Sequence, residues 1–328
     1  TSGADSISAL QGDDFLNGLG GADLLYGGQG DDSLTESTTA NSAVLSGNKG
    51  NDSLSLSGRN TGATLYGGQG NDVLTVTSVT SAFLSGDLGD DTFSVASAVG
   101  STLNGGGDQP TEDGADSFQI SAFSSSLLKA DEGNDTINVD VLQGGNTIYG
   151  GKANDLINLD SNTAVTGVYV RGDLDEDTLN VNFGAFAVGA SIYGDNTSSS
   201  GASDVINVTA SANISASTVF GGAGDDAIIL EGNGNQLINS AILGNANSDY
   251  IYVLNSSLIS STIYGGQGSD QFVVNATGGS YFGDDGNDVI TNTTVTSALL
   301  QGGEGNDSFA GVYVSSTVYG GQGADTMT

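Results

Sequence analysis

A six-residue sequence, G-G-x-G-x-D, recurs from one end of the chain to the other. Glycine at its first, second and fourth positions permits backbone conformations with positive φ, so each copy predicts a tight turn that ends on a carboxylate. Strict copies begin at Gly27, Gly67, Gly221, Gly265, Gly302 and Gly320. Copies that replace only the second glycine begin at Gly18, Gly47, Gly86 and Gly283. Weaker copies end at Asp116, Asp135, Asp155, Asp177, Asp204 and Asp249.

The spacing of the motif aspartates changes along the chain. Asp5, Asp14, Asp23 and Asp32 stand nine residues apart, whereas later motif aspartates stand 18 to 27 residues apart. Nine residues suffice for one turn and one short strand, so two such units complete a coil with a motif turn on each edge. We therefore expect a roll with motif turns on both edges over residues 1–34.

From residue 35 to residue 328 the motif is expected on one edge only, in coils of about 20 residues. The replacement turns of the other edge are rich in Ser, Thr and Asn, as in Thr35–Ser42 and Thr75–Ser81. One edge then carries Asp14, Asp32 and every later motif aspartate to Asp325, which makes 16 turns. The pattern predicts an all-β, parallel β-solenoid of about 16 coils.

Apolar residues alternate with polar ones on both sides of each turn, as a strand requires. Leu65 precedes one turn and Leu74 follows it, and both are expected to point inward. The inward column before the turns is expected to contain Leu45, Leu65, Leu84, Leu103, Leu128, Ile148, Val170, Ile192, Val219, Ile242 and Ile263. The column after the turns is expected to contain Leu54, Leu74, Phe93, Phe118, Ile137, Ile157, Leu179, Ile206, Ile228, Ile251 and Phe272.

The turns offer backbone carbonyls and carboxylates, which are the ligands that Ca²⁺ prefers. The chain has no His and no Cys, and its formal net charge of −34 needs counterions. One turn supplies too few ligands, so we expect about one Ca²⁺ in each gap between stacked turns. The candidate ligands are Asp5, Asp14, Gly18, Asp23, Gly27, Gln29, Asp32, Gly47, Asp52, Gly67, Gln69, Asp72, Gly86, Asp91, Asp116, Asp135, Asp155, Asp177, Asp204, Gly221, Asp226, Asp249, Gly265, Asp270, Gly283, Asp288, Gly302, Asp307, Gly320 and Asp325.

Two stretches match a known nonapeptide, G-G-x-G-x-D-x-U-x with U a large aliphatic residue, at every position: Gly27–Thr35 and Gly67–Thr75. The chain thus resembles the RTX, or haemolysin-type calcium-binding repeat, proteins, and most of all their bacterial S-layer and cell-surface members. The resemblance implies a right-handed β-roll that folds on meeting calcium after export, often by a type I system. Some turns depart from this pattern. Ala130, Ala153, Asp175 and Asn247 replace a glycine, and residues 107–114 and 196–201 carry insertions.

The net charge and the pattern of outward-facing residues indicate which partners the chain could bind. Five basic residues against 39 acidic ones argue against nucleic-acid binding, and no apolar run is long enough for membrane insertion. An outward column turns apolar from Tyr193 through Phe220, Leu243, Tyr264 and Phe282, with Ile229, Tyr250, Tyr252 and Val273 on the opposite sheet. We expect self-association, laterally through this surface or end to end, and cell-surface polysaccharide is a further candidate partner.

These features favour an extracellular, calcium-dependent structural protein, such as an S-layer, sheath or surface-fibre building block. The alternative is the calcium-binding region of a larger secreted adhesin, toxin or polysaccharide-acting enzyme. We expect no enzymatic activity from this chain, because it lacks His, Cys and Trp and its acids recur with the repeat. The insertion Asp108–Asp113 is the one modest candidate for a catalytic cluster.

Overall fold

The computed structural model describes residues 3–106, 114–195, 201–232 and 234–328. Over these residues the chain forms mostly short strands joined by turns, and no helix there is long and apolar enough to cross a membrane. Of the two insertions at residues 107–114 and 196–201, only the last residue of each, Gly114 and Gly201, lies within the described residues. The candidate cluster Asp108–Asp113 therefore stays a prediction.

The chain divides into two compact units, Thr1–Leu159 and Asp160–Thr328. The boundary predicted at residue 34 separates motif turns on both edges from motif turns on one edge. It does not describe a division into compact units, and it stays a prediction. The strands of the first unit are β1 (Ser6–Ser8), β2 (Phe15–Asn17), β3 (Leu24–Gln29), β4 (Ser33–Glu36), β5 (Val44–Lys49), β6 (Ser53–Thr61), β7 (Thr64–Gln69), β8 (Val73–Thr80), β9 (Phe83–Leu88), β10 (Thr92–Val95), β11 (Ala98–Val99), β12 (Thr102–Gly106), β13 (Ser117–Ile120), β14 (Phe123–Ser124), β15 (Leu127–Glu132), β16 (Thr136–Val139) and β17 (Thr147–Lys152).

Strand β18 (Leu156–Ser161) contains the boundary between the units. The strands of the second unit are β19 (Val165–Thr166), β20 (Tyr169–Asp173), β21 (Thr178–Phe183), β22 (Ala187–Val188), β23 (Ser191–Asp195), β24 (Val205–Ala210), β25 (Ile214–Ser215), β26 (Thr218–Ala223), β27 (Ala227–Gly232), β28 (Gln236–Ile238), β29 (Ala241–Ala246), β30 (Tyr250–Gln267), β31 (Gln271–Asp285), β32 (Val289–Asn292), β33 (Val295–Thr296), β34 (Leu299–Glu304), β35 (Ser308–Ala310), β36 (Tyr313–Val314), β37 (Thr317–Gln322) and β38 (Thr326–Met327).

Each strand pairs in parallel with the strand one coil away. In the first unit β5, β7 and β9 align Leu45 with Leu65 and Leu65 with Leu84. In the second unit β24, β27 and β30 align Ile206, Ile228 and Ile251. The predicted fold class is confirmed: the chain is an all-β, parallel β-roll of right-handed type with about 15 turns.

The core of each unit consists of stacked apolar columns. All residues of the two predicted columns are buried. A third buried column, which the sequence reading did not include, runs through Leu56, Val76, Val95, Ile120 and Val139 in the first unit and through Val181, Val208, Leu230, Val253 and Val274 in the second. Each such side chain contributes about 1.5–3 kcal/mol of transfer free energy, so stability accumulates with the number of coils.

Candidate metal centre

In the first unit the motif aspartates form a row of hydrogen bonds along one edge of the coils. The backbone N–H of Asp32 donates to Oδ1 of Asp52 at 2.7 Å, and that of Asp52 donates to Oδ1 of Asp72 at 2.6 Å. The same bond links Asp14 to Asp32, Asp72 to Asp91, Asp91 to Asp116, Asp116 to Asp135 and Asp135 to Asp155. One oxygen of each carboxylate therefore holds the preceding coil in place.

The second unit repeats this arrangement. Asp226 N–H donates to Oδ1 of Asp249 at 2.9 Å, and Asp249 N–H donates to Oδ1 of Asp270 at 2.8 Å. The remaining links join Asp177 to Asp204, Asp204 to Asp226, Asp270 to Asp288, Asp288 to Asp307 and Asp307 to Asp325. The structure thus brings the 16 aspartates predicted for one edge into two rows, one in each unit.

The second carboxylate oxygen lacks a hydrogen-bond partner at most of these positions. Oδ2 of Asp52, Asp72 and Asp249 is buried without a partner, and these residues are only 1–2% exposed. Oδ2 is also buried without a partner in Asp32, Asp204, Asp226, Asp270, Asp288 and Asp307 of the rows, and in Asp23 on the opposite edge. An ionised carboxylate buried without compensation costs several kcal/mol, so repeated orphan oxygens of this kind fit sites for a cation.

The first glycine of the motif keeps the space beside this oxygen open. A Cβ on Gly47 would clash with Oδ2 of Asp52 and would lie 2.6 Å from the carbonyl oxygen of Gly67 in the next coil. A Cβ on Gly265 would meet Oδ2 of Asp270 and, at 2.8 Å, the carbonyl oxygen of Gly283. Every predicted first glycine has this relation to Oδ2 of its own aspartate: Gly18, Gly27, Gly47, Gly67, Gly86, Gly221, Gly265, Gly283, Gly302 and Gly320.

The second and fourth glycines serve the stacking of coils. Gly68 and Gly70 both have a φ of 120°, and a Cβ on either would collide with a carbonyl of the preceding coil, that of Asn48 or Gly50. Only glycine combines this conformation with so close an approach. Where another residue stands at position two, its φ falls to 78° at Asn48 and 76° at Asp87, in the left-handed region that Asn and Asp tolerate.

These sites fit a hard cation that lies between turns. Carboxylate and carbonyl oxygens from successive coils converge on one space, as the irregular oxygen cage of Ca²⁺ requires. No three acidic side chains come together as a metal-holding group in the described part of the chain. A cation at such a site would have backbone carbonyls beside the carboxylate, as with Gly67 beside Asp52.

Burial raises the pKa of several row carboxyls, those of Asp72, Asp204 and Asp249 among them. The pKa of Asp72 rises to about 8, first because of desolvation and then because of the charges of Asp91 and Asp52. Desolvation raises the pKa of Asp204 and Asp249 to about 8 as well. Without a metal ion, these carboxyl groups hold protons near neutral pH, and a bound cation displaces them.

Some predicted site residues lie away from the row. Asp5 and Asp23 belong to the opposite edge, where Asp5 N–H donates to Oδ1 of Asp23 at 2.7 Å. The side chains of Gln29 and Gln69 are exposed, so the structure does not bring them to the buried oxygens. Ala130 is fully buried and stands at a first-glycine position, so this turn carries a Cβ where the strict motif has none.

The sequence reading missed two buried acids. Glu36 is 0% exposed and Asp195 is 2% exposed, and Oε2 of Glu36 and Oδ2 of Asp195 have no hydrogen-bond partner. Burial, and next the proximity of Asp226, raises the pKa of Asp195 to about 7. Asp195 follows Gly194 at the second motif position, a signal that the insertion after it hides. Glu36 lies outside the motif, so only the stacking register reveals it.

A further row uses the fifth motif position. Asn51 N–H donates to Oδ1 of Asp31 at 2.8 Å, and Asn71 N–H donates to Oδ1 of Asn51 at 2.8 Å. In the second unit Asn306 N–H donates to Oδ1 of Asn287 at 2.7 Å. These side chains accept from the following coil, whereas the motif aspartates accept from the preceding one. The frequent Asn-Asp and Asp-Asp pairs of the motif are the sequence signal for this double row.

The edge opposite the aspartate row is held by Ser and Asn. In the second unit Ser217 N–H donates to Oγ of Ser240 at 3.1 Å, and Ser240 N–H donates to Oγ of Ser261 at 3.1 Å. Each hydroxyl is also satisfied as a donor: Ser240 Oγ–H donates to the carbonyl of Ile238 at 2.9 Å. In the first unit Asn60, Ser101, Ser126 and Asn146 accept from the preceding coil in the same way.

Comparison with known proteins points to the same repeat. The family model of the RTX calcium-binding nonapeptide repeat matches four stretches, residues 1–34, 57–76, 209–237 and 301–328. The chain is also similar to the crystal structure of a hyperactive, Ca²⁺-dependent, β-helical antifreeze protein from an Antarctic bacterium. That likeness has 18% sequence identity and a TM-score of 0.44 over 96% of this chain and 83% of the other. The search of curated proteins gave no match.

Proposed function

Because this chain belongs to the RTX β-roll family, whose repeats bind Ca²⁺ between the turns of the roll, we propose that it is an extracellular structural protein that folds and assembles on binding Ca²⁺. RTX repeat proteins are typically secreted. The proposed role is that of a building block of an S-layer, sheath or surface fibre. Calcium serves as the counterion that allows a strongly acidic chain to stack its coils.

The observation that carries this proposal is the repetition of the buried carboxylates. One carboxylate oxygen is buried without a hydrogen-bond partner in each of Asp52, Asp72 and Asp249. This oxygen lies beside the first glycine of its own turn and near a backbone carbonyl of the following coil. Such a site recurs from coil to coil, so metal binding is distributed along the fold instead of being confined to one cleft. A distributed site suits a stabilising role, and we assign the chain no catalytic role.

The proposed partner in assembly is a second copy of the chain. In the second unit Tyr193, Phe220, Leu243, Tyr264 and Phe282 stand in register on consecutive strands. The aromatic rings contact each other in two pairs, with centroids 5.6 Å apart for Tyr193–Phe220 and 5.2 Å apart for Tyr264–Phe282. They are half-buried, so each still offers apolar surface to a neighbour. The sequence from Gly172 onward has no basic residue, which favours an apolar contact over ion pairing there.

Calcium titration tests the proposal. We expect the chain to lack β structure in chelator near pH 8 and to gain it cooperatively with calcium, as measured by far-UV circular dichroism. Electron microscopy of the same samples should show filaments or sheets only with calcium. A chain that folds completely in chelator contradicts the calcium-dependent fold. A chain that folds with calcium and stays monomeric at high concentration contradicts the structural role alone.

The assembly surface is tested separately with Phe282→Ser combined with Tyr264→Ser. We expect weaker assembly in sedimentation velocity and an unchanged calcium-loaded monomer. The matched control is Tyr26→Ser, which removes an outward tyrosine that is 37% exposed on the first unit. Equal loss of assembly in both variants argues against this surface.

A further inference from the structure

The edge opposite the aspartate row contains a pair of buried acids near its start. Asp23 ends the motif turn that begins at Gly18, and Glu36 lies one coil further on. Strands β2 and β4 pair Asn17 with Thr35, and Gly18 N–H donates to the carbonyl of Thr35 at 3.0 Å. Glu36 therefore occupies the position in its coil that Gly18 occupies in the coil before.

Glu36 stands at the start of an apolar column. The next coil places Leu56 in register with Glu36, and the coil after that places Val76 in register with Leu56. Glu36 is 0% exposed, and Leu56 and Val76, which continue the column, are each 1% exposed. A charged side chain at such a position requires a polar or oppositely charged partner. Leu56 and Val76, the apolar residues that continue the column, cannot provide one.

The two carboxylates face one small space. Asp23 and Glu36 are both 0% exposed, and a Cβ on Gly18 would clash with Oδ2 of Asp23 and lie 2.5 Å from Oε2 of Glu36. The other oxygens are engaged: Oδ1 of Asp23 accepts the N–H of Asp5 at 2.7 Å, and Oε1 of Glu36 accepts the N–H of Thr38 at 3.4 Å. Oδ2 and Oε2 are buried without hydrogen-bond partners.

This arrangement differs from that of the aspartate row in one ligand. At many sites of the row, the oxygen opposite the aspartate is the carbonyl of a glycine in the next coil, as with Gly67 opposite Asp52. At Asp23 the next coil supplies a carboxylate in its place. Two facing carboxylates repel each other when ionised, and a divalent cation between them removes the repulsion and fills both orphan oxygens.

We propose that Asp23 and Glu36 form a two-carboxylate calcium site that closes the series of motif turns on this edge. Asp23 belongs to a nonapeptide turn, but Glu36 does not, so the motif predicts only half of this site. The site carries twice the acidic charge of a row site that uses one aspartate. Because calcium affinity rises with ligand charge, this site binds calcium more tightly than such a row site.

The test is Glu36→Gln in the full chain, with bound calcium counted by equilibrium dialysis. We expect one Ca²⁺ fewer per chain, and the loss should appear at the low-calcium end of the titration, where the tightest sites fill. The control, Glu231→Gln, removes the same charge from an exposed position on β27, and we expect its calcium count to stay unchanged.

A second variant guards against misfolding at position 36. Glu36→Leu continues the column of Leu56 and Val76, so its coil should stack without a metal ion while one calcium site is lost. An unchanged calcium count in either folded variant overturns the proposal, because Glu36 would then be a neutral, protonated partner of Asp23. This count does not depend on assembly, so it stands apart from the structural role proposed above.

Discussion

The two edges of the second unit link successive coils through different side chains, aspartate on one edge and serine on the other. On one edge Asp226 N–H donates to Asp249 Oδ1 at 2.9 Å, and on the other Ser217 N–H donates to Ser240 Oγ at 3.1 Å. The serine hydroxyl then donates to the carbonyl of Ile238, whereas Oδ2 of Asp249 has no partner. The link between coils needs only one oxygen. The second carboxylate oxygen is what makes the aspartate edge depend on a cation.

The largest expected effect of this difference is on the whole chain. Removing calcium near pH 8 should abolish the fold, because the buried carboxylates of every coil lose their counterion together. Far-UV circular dichroism in chelator measures this, with recalcification as the control for reversibility. Retention of the β spectrum in chelator would show that the Ser and Asn edge and the core suffice alone.

The next effect is a reversal of the pH dependence. Burial raises the pKa of Asp72, Asp204 and Asp249 from 3.8 to about 8, so without calcium the folded chain binds more protons than the unfolded chain. Stability of the calcium-free chain is therefore greatest at low pH and is lost as pH rises through those values. We expect more β structure in chelator at about pH 5 than at about pH 8.

With calcium present, we expect more β structure at about pH 8 than at about pH 5. Protons compete with the metal ion for the same oxygens, so calcium binds more weakly at the lower pH. The measurement is the calcium concentration at the folding midpoint as a function of pH. A midpoint that does not change with pH would contradict the raised pKa values of the row.

A smaller effect on the free energy of unfolding should distinguish single substitutions on the two edges. Asp249→Asn keeps the Oδ1 that accepts from Asp226 but replaces Oδ2 with a donor, so it should lose one calcium site. The loss is about 3 kcal/mol of unfolding free energy when free calcium is about a hundred times the dissociation constant. Urea unfolding at several calcium concentrations measures this loss. The free energy of unfolding of the variant should rise less steeply with calcium concentration than that of the unchanged chain.

The matched change on the other edge is Ser240→Ala, which leaves Ser217 N–H without its acceptor. We expect a cost of about 1–3 kcal/mol at every calcium concentration, with the calcium slope unchanged. Equal slopes for the serine and aspartate variants would remove the distinction between the edges.

The smallest effect concerns Ala130, a buried residue that places a Cβ at a first-glycine position. Ala130→Gly should open that turn and tighten its calcium binding, which isothermal titration calorimetry detects. The control Ala153→Gly relieves a φ of 72° at the fourth motif position and should add stability without changing calcium binding there. No gain from Ala130→Gly would mean that the alanine is tolerated beside a bound ion.

The period of the sequence predicted the fold and the aspartate rows because both repeat with the turn itself. Leu65 and Leu74 are buried as expected, since their positions relative to the turn fix which face of the strand they occupy. Glu36 and the Ser217–Ser240 ladder escaped prediction. Their partners lie one coil away, and the number of residues in a coil varies too much to identify those partners without the register.

This variation in coil length has a consequence for how the protein can evolve. Linked aspartates are separated by as few as 18 residues, as in Asp270–Asp288, and by as many as 27, as in Asp177–Asp204. The connecting distance is nevertheless 2.9 Å in the first case and 2.8 Å in the second. Insertions and deletions between motifs therefore leave the junction of neighbouring coils unaltered. A lineage with this architecture can lengthen by duplicating coils and can diversify the segments between turns while keeping every junction intact.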